Sequence, residues 1–376
     1  MLDRQYLKDL AGYRNPQGLF ISVCVSTSRL DDWRQKAPTF LNSEFGRLGR
    51  EGAWNKEERR LLEAELAKIA EVLQYDITTQ TEGVAVFADG TQGMFERVEL
   101  PLRLNNRLLV EPSPYIRPLI HALEVLEPFL ITRVSRDDSS LYVVDWWRVA
   151  REDDLTGPYL RSTDRETGEV PVKEYYAAAR QENLVEQHFK EVALNVDRLL
   201  KETGVRRIVM CGQHEIITNV SKSLSAAASS RVSASISWDP ATSVNQLVVS
   251  ARAALADARR QEMSRLMERI DNDLGPQGMG VAGFGDVTGA LLRGQVQTLL
   301  VERGVRPPGW SCVNDDFVRP EEVHVCPLCG GRSVRVDDMF GEAVRHAVLQ
   351  GAEVEVVEGV ERLHELGGIA GLLRFR

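Results

Sequence analysis

Near the end of the chain, Cys326-Pro-Leu-Cys329-Gly-Gly precedes an amphipathic helix and a strand, and the sequence closes on Gly367-Gly-Ile-Ala-Gly-Leu-Leu-Arg-Phe375. Two thiols at this spacing on a Pro-Leu turn both aim inward, the arrangement that tetrahedral metal binding requires. Cys312 upstream and His324 nearby extend the pair to a four-ligand set, Cys312, His324, Cys326 and Cys329. Such a closed set holds structural zinc. A catalytic site keeps an open position and a general base, and no His-Glu motif accompanies these cysteines. The competing reading is a group of reduced thiols on a small domain that holds no metal. The closing apolar run reads as an edge segment of a small α/β module.

The 376 residues suffice for two or three cores, since domains run to roughly 100–200 residues. A 43% hydrophobic and 27% charged composition is that of an ordinary globular chain. A net charge of −9 argues against a general coat of basic charge for nucleic acid, though not against local patches. Arg47, Arg50, Arg59 and Arg60 make one such patch, a candidate RNA contact, and Arg252 to Arg269 make another. Interleaved glutamates allow both to be solvated helix faces. No apolar run approaches the roughly 18 residues of a membrane span, the N-terminus lacks a signal-peptide core, and five cysteines in so long a chain are no disulfide framework. The expectation is a cytoplasmic protein without membrane association.

Three consecutive α/β domains are expected, at 1–134, 135–250 and 251–376. In the first, Phe20 to Val25 reads as a buried strand, Leu61 to Leu73 as a helix, and Gly83 to Phe87 with Phe95 to Leu100 as a hairpin around Asp89-Gly90. Arg107 to Val110 and a helix from Arg117 to Leu126 follow. In the second, Leu141 to Trp147 reads as a strand, with one indole in the core and the other outward, a weak candidate for RNA stacking. A polar loop over 152–173 follows. Next comes a long helix with Val185, Phe189, Val192, Val196 and Leu199 on one face, stopped at Gly204. Strands Ile208 to Cys211 and Val232 to Ile236 predict a mostly parallel sheet. A helix from Val244 to Ile270 leads into the third domain through a glycine-rich stretch.

Several motifs have a simpler structural account. Gly278-Met-Gly-Val-Ala-Gly283 spells a nucleotide fingerprint, but follows a helix where a strand is needed, so no nucleotide or organic cofactor is expected. Cys211-Gly-Gln-His214 ends an apolar strand, and adjacent Cys and His seldom face one another productively. Cys24, inside the first strand, reads as core.

These residues resemble the archaeo-eukaryotic class-I peptide chain release factors and their ribosome-rescue relative Pelota. In the first domain the resemblance lies in Ile21-Ser-Val23, Glu82 to Phe87, and Val110-Glu-Pro-Ser-Pro-Tyr-Ile-Arg-Pro-Leu119. In the third it lies in Gly285-Asp-Val287, Gly294 to Val301, Cys326 to Cys329 and the Gly-Gly-Ile ending. The chain is similar to a bacterial member of the group, the subgroup numbered ten.

The resemblance implies a release-factor-like architecture with a ribosomal-protein-like C-terminal domain, and a role on the ribosome with tRNA or rRNA and a translational GTPase as partners. It also implies where chemistry ought to be. The family's stop-codon tetrapeptide Asn-Ile-Lys-Ser has no counterpart here, and Gly-Gly-Gln, whose glutamine helps place water on the peptidyl-tRNA ester, is absent from the chain. In its place stand Gly168, Val170, Pro171 and Val172, the last three of them stiff residues. A non-catalytic role in termination, rescue or stress response is therefore expected. The alternatives are a divergent peptidyl-tRNA hydrolase using Gln181, and a non-ribosomal interaction protein on the same scaffold.

Overall fold

A computed structural model describes the backbone of residues 2–28, 32–51, 54–78, 81–146, 148–156, 171–239 and 242–376, while the side chains of 51, 156 and 171–181 lie outside the description. The chain divides into two compact units. One combines Met1–Val125 with Ser264–Arg376, and the other is Leu126–Met263. The fold class is mixed α/β, with four sheets among the described residues.

The first unit begins with α1 (Arg4–Ala11), capped by Asp3, whose carboxylate accepts the Tyr6 amide. β1 (Phe20–Ser26) follows, then α2 (Trp33–Glu51) and α3 (Lys56–Tyr75). Asn55 and Glu58 close a reciprocal capping box at the start of α3. β2 (Gly83–Asp89), β3 (Met94–Leu100) and β4 (Arg107–Glu111) complete an antiparallel sheet of order β3-β2-β1-β4, and α4 (Arg117–Val125) ends the segment. Ile21, Val23 and Val25 alternate onto one face, where they meet Leu62, Leu66, Ile69 and Leu73 of α3 in a single core.

The second unit opens with β5 (Phe129–Val134), β6 (Asp138–Asp145) and β7 (Arg148–Thr156), joined as antiparallel hairpins. α5 (Pro171–Thr203), β8 (Arg207–Cys211), α6 (His214–Ser223), α7 (Ala226–Ser229), β9 (Val232–Ile236) and α8 (Val244–Asn272) follow, with the residues of α8 from Ser264 onward assigned to the other unit. The sheet order is β7-β6-β5-β8-β9. Val185, Phe189, Val192, Val196 and Leu199 of α5 are all in its core, as their spacing predicts, and α5 stops before Gly204, which takes φ 68°.

Three expectations for this unit need correction. The sheet is mixed rather than mostly parallel, because the links between β5, β6 and β7 are too short for parallel crossovers. The polar stretch from 152 begins as strand rather than loop, since β7 runs to Thr156 and pairs along β6. Charge on an edge strand is one way a sheet end is kept from pairing with another chain. The predicted strand through Trp147 breaks at Trp146, which turns at φ 55°, and Trp147 lies outside the described residues.

After α8 the first unit resumes with β10 (Gly280–Ala282), α9 (Phe284–Leu292), β11 (Val296–Glu302), β12 (Gly309–Cys312), β13 (Val318–Arg319) and β14 (Ser333–Val336). α10 (Met339–Leu349), β15 (Glu353–Val357), α11 (Glu361–Glu365) and β16 (Ile369–Leu373) finish it. Two sheets result, of order β10-β16-β11-β15 and β13-β12-β14. The closing segment is no edge. β16 lies between β10 and β11, and all five of its residues are buried. An unbroken apolar run suits an interior strand covered on both faces.

The glycine motif at 278–283 is a tight turn onto β10 and α9. A Cβ on Gly278 would sit 1.8 Å from the Asp273 carbonyl oxygen, and one on Gly280 2.3 Å from that of Ile270. Close backbone packing, rather than phosphate, accounts for these glycines.

Candidate metal centre

Cys312 ends β12, and the chain turns at once through Asn314 and Asp315. Cys326 and Cys329 stand on a second turn, fastened by Cys326 N–H to the Gly331 carbonyl (2.7 Å) and Gly330 N–H to the Cys326 carbonyl (2.9 Å). The two turns match, with ligand-type residues at the same spacing in Cys312-x-x-Asp315 and Cys326-x-x-Cys329. Ligand atoms of Cys312, Asp315, Cys326 and Cys329 all lie within 4.8 Å of one another. The Cys312 and Cys329 sulfurs are 3.5 Å apart, and Cys326 Sγ is 3.3 Å from Asp315 Oδ2.

Each sulfur also accepts the backbone N–H two residues on: Asn314 to Cys312 (3.4 Å), Leu328 to Cys326 (3.4 Å) and Gly331 to Cys329 (3.3 Å). Three N–H dipoles aimed at three sulfurs favour thiolate over thiol, the species a metal needs. Gly331 has no room for a side chain, since a Cβ there would lie 2.3 Å from Asn314 Nδ2 and 3.2 Å from Cys329 Sγ. Burial pushes the Cys312 thiol up to about 12, and the Asp315 carboxylate raises Cys329. Burial also pushes Asp315 up, but hydrogen bonds from the cysteine thiols and the Phe317 amide hold it below the usual carboxylate range. Without metal the cluster therefore stores protons on sulfur, and binding a cation has to expel them.

Three thiols and one carboxylate fit zinc, whose tetrahedral structural sites take such donors and leave no open position. His324 does not join them. Its ring stands edge-on to Trp310 at 4.9 Å, and its Nε2 lies 3.1 Å from Glu322 Oε1. Asp315 takes the fourth place because it follows Cys312 as Cys329 follows Cys326, a signal present in the sequence. Arg14 fixes the first turn from outside, its Nε donating to the Val313 carbonyl (3.0 Å) and its Nη2 to that of Cys312.

The remaining candidates are dispersed. Gly168 and Val170 lie outside the described residues, and Pro171, Val172 and Gln181 fall on α5 with side chains outside the description. Arg47 is paired with Glu44 (3.0 Å) and Asp337 (3.1 Å), and Arg59 with Glu63 (3.0 Å), while Arg50 and Arg60 are exposed. Cys24 and Cys211 are buried, and burial pushes both thiols up to about 12, as inert core cysteines. A hydroxyl–imidazole pair, Ser139 Oγ and His188 Nε2 at 2.9 Å, is sealed in the second unit, out of reach of any ester.

On β7, burial pushes Asp153 up, but Arg151 and Arg198 (3.0 and 2.8 Å) pull harder and leave it below the usual range. Asp154 accepts from Ser140 Oγ at 2.6 Å. Much of the acidity of this segment is thus satisfied within the unit.

Residues 114–263 match the bacterial archaeo-eukaryotic release factor family 10. That stretch of the chain is similar to this bacterial release-factor family. Among solved structures, the archaeal translation termination factor aRF1 is 19% identical over 99% of this chain and 98% of its own, with a TM-score of 0.26. Archaeoglobus fulgidus Pelota is 16% identical over 75% of this chain and 76% of its own, at a TM-score of 0.35. A chain from a model of ribosome-bound archaeal Pelota and ABCE1 is 17% identical over 76% of this chain and 73% of its own, at 0.41. No curated protein matches the sequence.

The stretch Val110 to Leu119, which carried the resemblance in the first domain, acts as a seam within the first unit. Asp337 N–H donates to Glu111 Oε1 (2.8 Å), Ser113 Oγ to Glu342, and Arg117 Nη1 to Asp338 Oδ2 (2.8 Å) and the Val305 carbonyl (2.9 Å). These partners were not apparent from the sequence, since each contact joins residues at least half the chain apart.

Proposed function

We propose that this protein binds the ribosomal A-site region and acts in translation termination or ribosome rescue by occupancy and partner recruitment, without hydrolysing the peptidyl-tRNA ester. The observation that carries this reading is the family match over residues 114–263 in a chain whose sequence contains no Gly-Gly-Gln. A release reaction needs a group that places water on the ester, and Gly168, Val170, Pro171 and Val172 supply neither the paired glycines nor the glutamine for it. Three segments share the work, at 1–134, 135–250 and 251–376.

Zinc held by Cys312, Asp315, Cys326 and Cys329 has a structural role, stiffening the turns beside β12 and β14. Exposed Arg50 and Arg60 contribute RNA contacts, since phosphate neutralisation supplies most nonspecific affinity. A translational GTPase is the expected partner, and the cytoplasm the expected compartment. No described helix is long and apolar enough to cross a membrane.

Co-sedimentation with ribosomes at low and moderate salt tests binding, and a release assay on stalled complexes tests chemistry. Peptide release that is lost in Gln181→Ala would replace this reading with a divergent hydrolase. Absence from the ribosome pellet at both salts would leave an interaction protein of another kind.

A further inference from the structure

Where β4 of the first unit meets β14, a cavity of about 230 Å³ opens between Trp54, Trp310, Ser333, Glu111, Arg332 and Arg335. We propose that it binds an unpaired nucleobase, with the attached phosphate at the arginine rim.

Two indoles line the cavity. Trp54 is held by stacking on Phe45 (5.4 Å, 20° between planes) and Trp310 by the edge-on ring of His324, so both are set in place before a ligand arrives. The space is smaller than the roughly 300–1,000 Å³ of pockets for drug-sized ligands, and suits one flat ring system rather than a whole cofactor. Base–aromatic stacking is the usual way to hold such a ring without an extended groove.

Two groups inside have unspent hydrogen-bonding capacity. Ser333 is 5% exposed and lines the cavity, and its Oγ has no hydrogen-bond partner. A buried hydroxyl left unpaired is costly, and a base edge supplies the missing partner. Glu111 is also 5% exposed and spends Oε1 on the Asp337 amide. Burial, and then the nearby Glu342, raise its carboxyl well above the usual range, which favours the protonated form that can donate. One hydroxyl and one carboxyl match the mixed donors and acceptors of a base edge.

The rim selects for charge. Arg332 and Arg335 stand at the mouth, and the Arg332 guanidinium is only loosely engaged, 4.0 Å from Glu58. The other carboxylate on the lining, Asp337, is taken by Arg47 at 3.1 Å. A cationic side chain would meet two guanidiniums, so a lysine or arginine of a partner is disfavoured. An aromatic ring carrying a phosphate meets complementary groups at both ends.

The test uses the full-length, metal-loaded protein without ribosomes, which separates it from the ribosome-binding reading. AMP, GMP, CMP and UMP, and a mixed-sequence single-stranded oligoribonucleotide, are titrated against tryptophan fluorescence. Saturable quenching is expected, and Ser333→Ala and Arg332→Ala each weaken it about tenfold, the scale of one lost hydrogen bond. Ser333→Ala removes one buried oxygen, so its fold is preserved, and unchanged thermal melting confirms that. Equal affinity for mononucleotide and oligonucleotide identifies a free nucleotide as occupant, and tighter binding of the oligonucleotide identifies an RNA strand. No saturable binding by either, binding indifferent to Ser333→Ala, or binding of an acidic peptide in their stead overturns the proposal.

Discussion

Arg117 Nη1 lies 2.8 Å from Asp338 Oδ2, with the side chains 3% and 1% exposed and the residues 221 positions apart in sequence. The same guanidinium donates to the carbonyls of Val305 and Glu302, and Asp338 caps α10 by accepting the Gly341 amide. Burial pushes the Asp338 carboxyl up, and Arg117 draws it back toward the ionised form. This ion pair is the most buried of the described contacts that tie Arg117 and its neighbours to the C-terminal stretch of the first unit.

Removing one partner leaves the other charged and buried. Arg117→Ala is expected to cost about 3–5 kcal/mol in urea unfolding monitored by circular dichroism. The double variant Arg117→Met with Asp338→Leu is expected to recover much of that loss, since no buried charge is left alone. A single variant costing less than about 1 kcal/mol would mean that the pair is hydrated and the seam is held elsewhere.

Glu111 sets a pH dependence. Its folded-state pKa is raised, so its protonated form is favoured in the native state. The stability from that proton is complete below the unfolded value of about 4.3 and is lost as pH rises toward the raised native value. Glu111→Gln keeps the acceptor for the Asp337 amide and cannot ionise. Its stability relative to wild type is expected to grow as pH rises from about 4.3 toward the raised native value, by about 1.4 kcal/mol for each unit of pH climbed while only the unfolded form is ionised. A constant difference across that range, read from thermal melts, would contradict the assignment.

The metal cluster distinguishes Asp315 from His324. Purified protein is expected to carry one zinc per chain by atomic emission, with the metal lost in Cys312→Ser or Cys326→Ser. Asp315→Ala is expected to lower affinity by about 100-fold or more in a competitive chelator titration, beyond the cost of altering a group that merely supports a ligand. His324→Ala should leave affinity unchanged, because its ring packs on Trp310. The reverse pattern would restore His324 as the ligand.

Much of the fold was legible because its strands are short, β-branched and sharply bounded. β1, the β2–β3 hairpin and the apolar stripe of α5 follow directly from period-two and period-3.6 spacing. α2 was hidden because Pro38, Gly46 and Gly49 interrupt its helical signal, and tertiary packing of Leu41, Phe45 and Leu48 overrides them. β7 was hidden because its alternating charges look like a loop until Asp153 and Arg151 are seen pairing across to α5. At the candidate site the thiols were visible from spacing alone. Asp315 was overlooked, because histidine is the more familiar zinc ligand, although the repeated spacing after Cys312 pointed to it. The seam around Arg117 and the cavity beside Ser333 arise from contacts between distant segments, which no local pattern encodes.

Ribosome co-sedimentation tests the central claim most directly. The protein, mixed with purified bacterial ribosomes at low and at moderate salt, is expected to pellet with them at low salt and less completely at moderate salt, as phosphate contacts are screened. Stalled complexes in the same preparation are expected to retain their peptide, equally with wild type and with Gln181→Ala. Protein that stays in the supernatant at both salts would contradict the account.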